Sequence, residues 1–390
     1  MRVKNNTGNV IRLAAAQALS MTTMNVNIIN TALVGSLLSP LPWLATLGLS
    51  LQFMMSMLTT LPASLLMVRF GRKPIFLAGV LISSGATFTQ GVAILMSSFV
   101  LFCVGSMFLG IALGCAGFYR YAAADSAEEL QKPRAISYVL AGGLLAAFIG
   151  PEIARNTVGI VPGHLFAGCF FTVALVQLIS LVFLSGLNIK KPKRTNLGGR
   201  PISAFFKMPI FVVGAVSAAI GYAMMSYMMT ATPLQIVNVV MLGTSANATI
   251  IQWHVVAMFA PAFFTGDLIA RFGAKRILSL GVLIYLAAIA VALLGSSFWW
   301  YFSALVLMGL GWNFLFIGGS SLVASAAKPE ERGRVQGIAD LMTTTSVAIA
   351  SLTAGVLHSQ FGWEVMVLSA LVPVLVVVGL LIWLTTERNI

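Results

Sequence analysis

Two patterns of four-residue spacing carry the most specific chemistry in the chain. Met225-Ser-Tyr-Met-Met229 sets two thioethers four residues apart, the overlapping Met224/Met228 pair repeats that spacing, and His254-Val-Val-Ala-Met258 does the same with an imidazole and a thioether. On a helix, side chains four apart stack on one face about a turn from each other, so each pattern presents two soft donors together. Thioether sulfur suits Cu(I) and imidazole is a borderline donor, whereas Mg or Ca would need oxygen ligands that these patterns lack. A soft monovalent cation is the favoured guest. Against this, 19 methionines in 390 residues make one Met-x-x-x-Met unsurprising, and methionine commonly fills apolar gaps. His-x-x-x-Met is rarer, with a chance expectation of about 0.15. No other copy of either pattern occurs.

A second set consists of polar residues inside long apolar runs, where each costs free energy unless it faces a cavity or a partner. They are Asn25, Asn27 and Asn30, Arg120, Glu152 and Arg155, and Asp340. Three asparagines at that spacing cannot all point one way. Asp340 reads either as a cap on the first turn of its helix or as a protonatable carboxylate for ion coupling. Glu152 and Arg155, three apart, pair on one helical face or gate an outer mouth. Arg120 snorkels to the inner interface or faces the interior as an anion partner. Trp253, Tyr222, Tyr227 and Trp312 either pack or stack on a flat organic ligand. Pro151 reads as a kink. Cys103, Cys115 and Cys169 fall in apolar runs as buried small hydrophobes and imply no disulfide framework. No His-Glu-x-x-His, paired intramembrane acids or glycine-rich cofactor motif is present, so neither an enzyme nor a bound cofactor is expected.

These residues must be positioned by membrane helices. The chain is 59% hydrophobic and 8% charged, which excludes a soluble fold, and its apolar runs reach the ~20 residues that cross a bilayer as a helix. Spans are expected at Val10–Leu38, Trp43–Met67, Ile75–Met96, Phe99–Ala122, Ile136–Ile153 and His164–Leu187, then at Pro209–Ala231, Thr244–Ala270, Ile277–Leu294, Trp299–Ala324, Val335–Leu357 and Met366–Leu384. The domain division is 1–189, a cytoplasmic linker at 190–207 containing Lys190-Lys191-Pro192-Lys193-Arg194, and 208–390. The net charge of +13 sits in short clusters between runs. It reports membrane orientation, with both termini cytoplasmic, and not nucleic-acid binding. The expected setting is the lipid bilayer of a bacterial inner membrane, as a monomer handling a small solute or metal ion.

The halves repeat one another. Ser64–Ile82 aligns without gaps on Gly266–Ile284, so that Arg69/Arg271, Phe70/Phe272, Gly71/Gly273 and Lys73/Lys275 coincide in the turn after the second span of each half. With that turn, the sequence resembles the major facilitator superfamily, whose pattern there is G-x-L-x-D-R-x-G-R-K. The resemblance implies an all-α membrane protein of twelve transmembrane helices in two pseudo-symmetric six-helix bundles, working by alternating access. The family's turn acid is replaced by Val68 and Ala270, and Asp267 lies three residues early. The Met and His patterns in spans 7 and 8 resemble those of CcoA-like copper importers. That likeness implies Met225, Met229, His254 and Met258 as ligands of a transported Cu(I). RfnT-like riboflavin carriers are similar in these segments, so an organic solute is the alternative. Gly150-Pro151 resembles part of a proton-linked drug-exporter pattern.

Overall fold

The structure is a computed structural model that describes residues 3–127, 132–189, 200–328 and 331–387. The basic part of the expected linker, 190–199, lies outside the described residues. Every regular element among the described residues is helical. The chain falls into two compact units, one comprising Met1–Arg194 with Ile236–Asn238 and Gly243–Gln252, the other Thr195–Gln235, Val239–Leu242 and Trp253–Ile390.

The first unit holds α1 (Val3–Leu38), α2 (Leu47–Phe70), α3 (Arg72–Leu95), α4 (Phe99–Ala116), α5 (Tyr119–Ser126), α6 (Lys132–Thr157) and α7 (Ala167–Ser185). In this unit α1 packs on α6 and α7, and α4 lies between α2 and α3. Small residues allow the close crossings: a Cβ on Gly110 would lie 2.3 Å from the Gln52 carbonyl oxygen. Ser98 starts α4 by accepting from the Leu101 amide at 3.3 Å, the usual use of serine before a first turn. The expected fourth span is one candidate crossing, Phe99–Ser126, interrupted by a two-residue turn between Ala116 and Tyr119. The α6 helix runs unbroken through Pro151.

In the second unit, a short α8 (Ile202–Phe205) precedes α9 (Pro209–Pro233), which passes directly into a π-helical turn at Leu234–Val239. Then come α10 (Gly243–Phe259), α11 (Ala262–Phe272), α12 (Ala274–Ala292), α13 (Phe298–Ala326), α14 (Arg332–Ser369) and α15 (Leu371–Glu387). The first ten residues of α10 cluster with the first unit and the rest with the second. Within the second unit α9 packs against α13, α14 and α15, and α12 against α13.

Nine described stretches are long and apolar enough to cross a membrane, or ten if α10 and α11, bent by 41° at their break, form one crossing. A count of twelve would also require α1 and a division of Gly333–Thr386, 54 residues long, at Gly362. That glycine has φ 78°, a left-handed value favouring glycine. The expected gap between spans 11 and 12, from Leu357 to Met366, contains this glycine, and the helical residues run closer to it on both sides than expected.

The duplicated turn has the same geometry twice. Gly71 (φ 93°) separates α2 from α3, and Gly273 (φ 82°) separates α11 from α12. The Arg69 guanidinium lies 5.2 Å from the Phe70 ring centroid, and Arg271 lies 5.2 Å from that of Phe272. With Val68 where an acid was expected, the first turn takes its carboxylate from farther along the chain: Arg72 pairs with Asp125 of α5 at 2.6 Å.

Candidate functional site

The sulfur and imidazole donors all lie in the second unit and all are buried. Gly214 and Gly319 bring the α9 and α13 backbones together, since a Cβ on Gly319 would lie 2.5 Å from the Gly214 carbonyl oxygen. Gly221 meets Leu315 on the same seam. Met225, one turn beyond Gly221, continues this stripe toward α13, and Met229 shares a face with Tyr222 seven residues earlier. His254 also turns to α13: its Nδ1 lies 2.6 Å from the Leu305 carbonyl oxygen. A carbonyl can only accept, so Nδ1 carries the proton and Nε2 holds a lone pair. That Nε2 is buried without a hydrogen-bond partner among the described residues. One turn on, the Met258 carbonyl accepts from Asn313 Nδ2 at 2.7 Å, and Asn313 Oδ1 accepts from Thr265 at 2.6 Å. The His254 ring and the Met258 backbone therefore border α13, and the Met225 and Met229 pattern lies on α9, which packs against the same helix.

An aromatic cluster sits on the same helices. Trp312 and Phe316, a turn apart on α13, stack with planes 9° apart and centroids at 5.1 Å. Tyr222 from α9 meets Trp312 edge-on at 5.4 Å and Phe316 at 5.5 Å. Phe259 from α10 meets Trp312 at 5.9 Å. The other expected stacking residues lie elsewhere. Trp253 is 45% exposed and pairs with Phe302 at 6.4 Å, beside Phe298 and Trp299, an outward aromatic group of the kind that sits at membrane interfaces. Tyr227 is structural: its hydroxyl lies 2.7 Å from Ser369 Oγ and donates to the Met366 carbonyl at 3.2 Å. Phe259 and Phe316 were absent from the sequence reading. Their signal, an aromatic four residues after Trp312 and another beside Met258, was there but common in membrane helices.

The ionisable residues are dispersed. Glu152 and Arg155 pair on α6, and Arg155 also donates to Thr249 at 3.0 Å, in the part of α10 that belongs to the first unit. Arg120 donates to the Tyr121 hydroxyl at 2.9 Å and lies 4.7 Å from that ring's centroid. Asp340 does not cap its helix: α14 begins at Arg332, eight residues earlier, beyond the reach of a first-turn carboxylate. The three span-1 asparagines diverge as expected. Asn25 donates to the Ala146 carbonyl of α6, Asn27 accepts from Gln90 of α3, and Asn30 donates to its own helix at Val26. The three cysteines are buried and unpaired as disulfides.

At the membrane edge of the second unit the sequence reading overlooked a stronger charge site. Glu331 is 1% exposed and accepts from the Arg200 amide at 2.9 Å, from Arg200 Nη2 at 2.7 Å and from the Lys328 amide at 3.0 Å. The Arg200 hydrogen bonds hold the Glu331 carboxyl well below the usual carboxylate range, and the same contact raises the Arg200 guanidinium.

Apolar helices long enough to cross a membrane thus surround a buried cluster of donors and rings. The profile of the Major Facilitator Superfamily matches residues 13–252 and 236–389, and the chain belongs to that superfamily: it is an integral membrane transporter and not an enzyme. It is 38% identical over 362 residues to the riboflavin transporter RfnT of Brucella anthropi, covering 91% of this chain and 90% of that protein. It is 27% identical over 335 residues to the MFS-type transporter YddS of Bacillus subtilis, covering 81% and 76%. Among solved structures, it superposes on a bacterial homologue of the lysosomal transporter Spinster, inward-facing and occupied, with a TM-score of 0.75 at 15% identity, covering 97% and 96% of the two chains. The nucleoside transporter NupG gives a TM-score of 0.72 at 13% identity, with 97% and 99% covered. At these identities the two structures speak for the fold alone.

Proposed function

We propose that the chain is a secondary transporter importing a flat, hydrogen-bonding organic solute of the riboflavin class. The observation that carries this reading is the 38% identity to the riboflavin transporter, which extends over nine-tenths of both chains. A four-residue donor motif is a narrower basis than 362 aligned positions. The ring cluster on α9, α10 and α13 suits such a solute, because aromatic faces stack on fused rings. The carrier would sit in a bacterial inner membrane as a monomer with both termini cytoplasmic. Asp340 would serve proton coupling, the Glu152 and Arg155 pair the outer end of α6, and Arg120 the inner end. Uptake of labelled riboflavin tests the reading. Cells unable to make riboflavin should accumulate it and grow on low external supply only when this chain is produced; no accumulation with the protein present in the membrane overturns it.

Import of Cu(I) is a second reading, favoured by one observation: His254 spends its proton on Leu305 and keeps a buried, unpartnered Nε2 lone pair beside α13. A metal-binding imidazole commonly donates its other ring N–H to a carbonyl, which fixes the tautomer and the ring's orientation. Met225, Met229 and Met258 would complete the path. Cellular copper content, measured with and without the chain, decides it.

A further inference from the structure

We propose that Trp312, with Tyr222, Phe259 and Phe316, forms the subsite for the fused ring of the solute, and that the Trp312 indole N–H is the hydrogen-bond donor that reads an acceptor on the ring's edge. This deepens the riboflavin-class reading and rests on it. Most buried aromatics of the second unit that carry a polar group have it paired. Trp363 Nε1 donates to the Ala292 carbonyl at 3.0 Å, Tyr285 to the Gly221 carbonyl at 2.6 Å, and Tyr301 accepts from Gln235 at 3.0 Å. Tyr227 is bonded to Ser369. Trp312 Nε1 is different. It is buried and has no partner among the described residues, although buried indole N–H groups normally find one and an unpaired donor in a membrane bundle is costly.

The surroundings describe what would pair with it. Trp312 is 5% exposed, but Tyr222, Phe259 and Phe316 around it are only half-buried, so the cluster keeps open ring surface beside the unpaired donor. Three helices contribute, α9, α10 and α13, each through one or two rings. A guest that satisfies the site needs a planar π-face and an in-plane acceptor, which the carbonyls and ring nitrogens of an isoalloxazine supply. A bare metal ion would leave the N–H unpaired. A saturated sugar would offer acceptors but no face to stack.

The test uses purified full-length protein in detergent or nanodiscs and the fluorescence of riboflavin, which stacking against an indole quenches. Wild-type protein should bind and quench riboflavin. Trp312→Phe, which keeps a ring and loses the N–H, should bind about tenfold more weakly, the worth of one hydrogen bond to a neutral group. Trp312→Leu should bind more weakly still and lose the quenching. Trp253→Phe should match wild type. A measurement on unaltered protein guards against misfolded variants: lumiflavin, which has the ring without the ribityl chain, should compete with riboflavin, and ribitol should not. Riboflavin bound equally by wild type and Trp312→Phe, or displaced by ribitol and not by lumiflavin, overturns the subsite and leaves the transport reading standing. Absence of riboflavin binding and uptake by the wild type overturns the transport reading and this subsite together.

Discussion

The two units share a turn and differ in what fills them. The turn is reproduced closely, with a positive-φ glycine and an arginine over the neighbouring phenylalanine in both. The interiors diverge. In the first unit, buried amides and hydroxyls bond to one another: Gln90 donates to Asn27 Oδ1 at 3.2 Å and to Ser106 at 3.0 Å, Thr31 donates to that same Asn27 oxygen at 3.1 Å, and Thr23 donates to Gln177 at 3.1 Å. In the second unit the interior is sulfur and aromatic ring, and several of its polar side chains bond to backbone carbonyls, as His254, Asn313, Tyr285 and Trp363 do. A polar web fixes helix register because each member needs its partners. Thioethers and rings are less directional and tolerate readjustment. The difference fits a framework role for the first interior and agrees with the solute contact proposed for the second.

The largest effect is expected at the helix crossings, where both units should behave alike. Gly319→Val puts a branched side chain 2.5 Å from a backbone oxygen and 2.8 Å from the Ala218 amide nitrogen. Neither atom can move alone, so the variant should lose about 3 kcal/mol or more and fail to give monodisperse protein on size exclusion. Within the first unit, Gln90→Leu should cost about 2 kcal/mol, because two side-chain bonds vanish and their partners stay buried. A thermal-unfolding series shows it; an unchanged midpoint would remove the framework role from the amide web.

Charge separates the two units at their polar edges. Asp125, which pairs with Arg72, is half exposed, whereas Glu331 is sealed against Arg200 and two backbone amides. Asp125→Asn should therefore matter less than Glu331→Gln, exposed pairs being worth little. The pH dependence has a definite sign. Glu331 is depressed in the folded protein, so its contribution is complete above the ordinary carboxylate pKa of about 4.3 and fades as pH falls below that toward the depressed value. The midpoint difference between wild type and Glu331→Gln should be constant from neutral to mildly acidic pH and close only in stronger acid. A gap that closes near pH 6 would mean that the site is not held this way.

Much of this organisation was legible in the sequence, and the illegible parts share a cause. Run length located the crossings, and the gapless match of Ser64–Ile82 with Gly266–Ile284 marked a turn whose geometry recurs. Run length cannot show where a helix changes character inside apolar sequence, so the π turn at Leu234–Val239 and the break after Ala116 were missed, whereas the interruption at Gly362 falls inside the expected gap between Leu357 and Met366. Helical spacing puts Met225 one turn from Met229 and His254 one turn from Met258 on their helices. Partners far along the chain were invisible to it: Arg72 with Asp125, Arg200 with Glu331, and Trp312 with Tyr222 and Phe259. For the same reason Trp253 and Trp312 looked equivalent as sequence and are opposite in exposure.

A smaller effect, of opposite sign to Gln90→Leu, is expected at Gln52 on the adjacent helix. Its amide is fully buried and neither end has a partner among the described residues. Gln52→Leu should raise the unfolding midpoint, by about 1 kcal/mol in stability. A fall would mean that a buried water bridges this amide to the web, since removing a satisfied group strands its partners.

The smallest stability change belongs to the methionines, and for that reason they sharpen the comparison most. Met225→Leu and Met229→Leu nearly conserve volume and apolarity, so each should cost less than about 1.5 kcal/mol. Any change in transport then reports sulfur chemistry and not collapse of the α9–α13 seam. If the second interior serves a stacked organic solute, both variants should keep riboflavin uptake near the wild-type rate, while Trp312→Leu loses it. Loss of copper accumulation in the two methionine variants, with riboflavin uptake absent throughout, would instead make the thioethers the contact surface and leave the rings as packing. The same two substitutions thus separate a softness needed for ligation from a softness needed for fit.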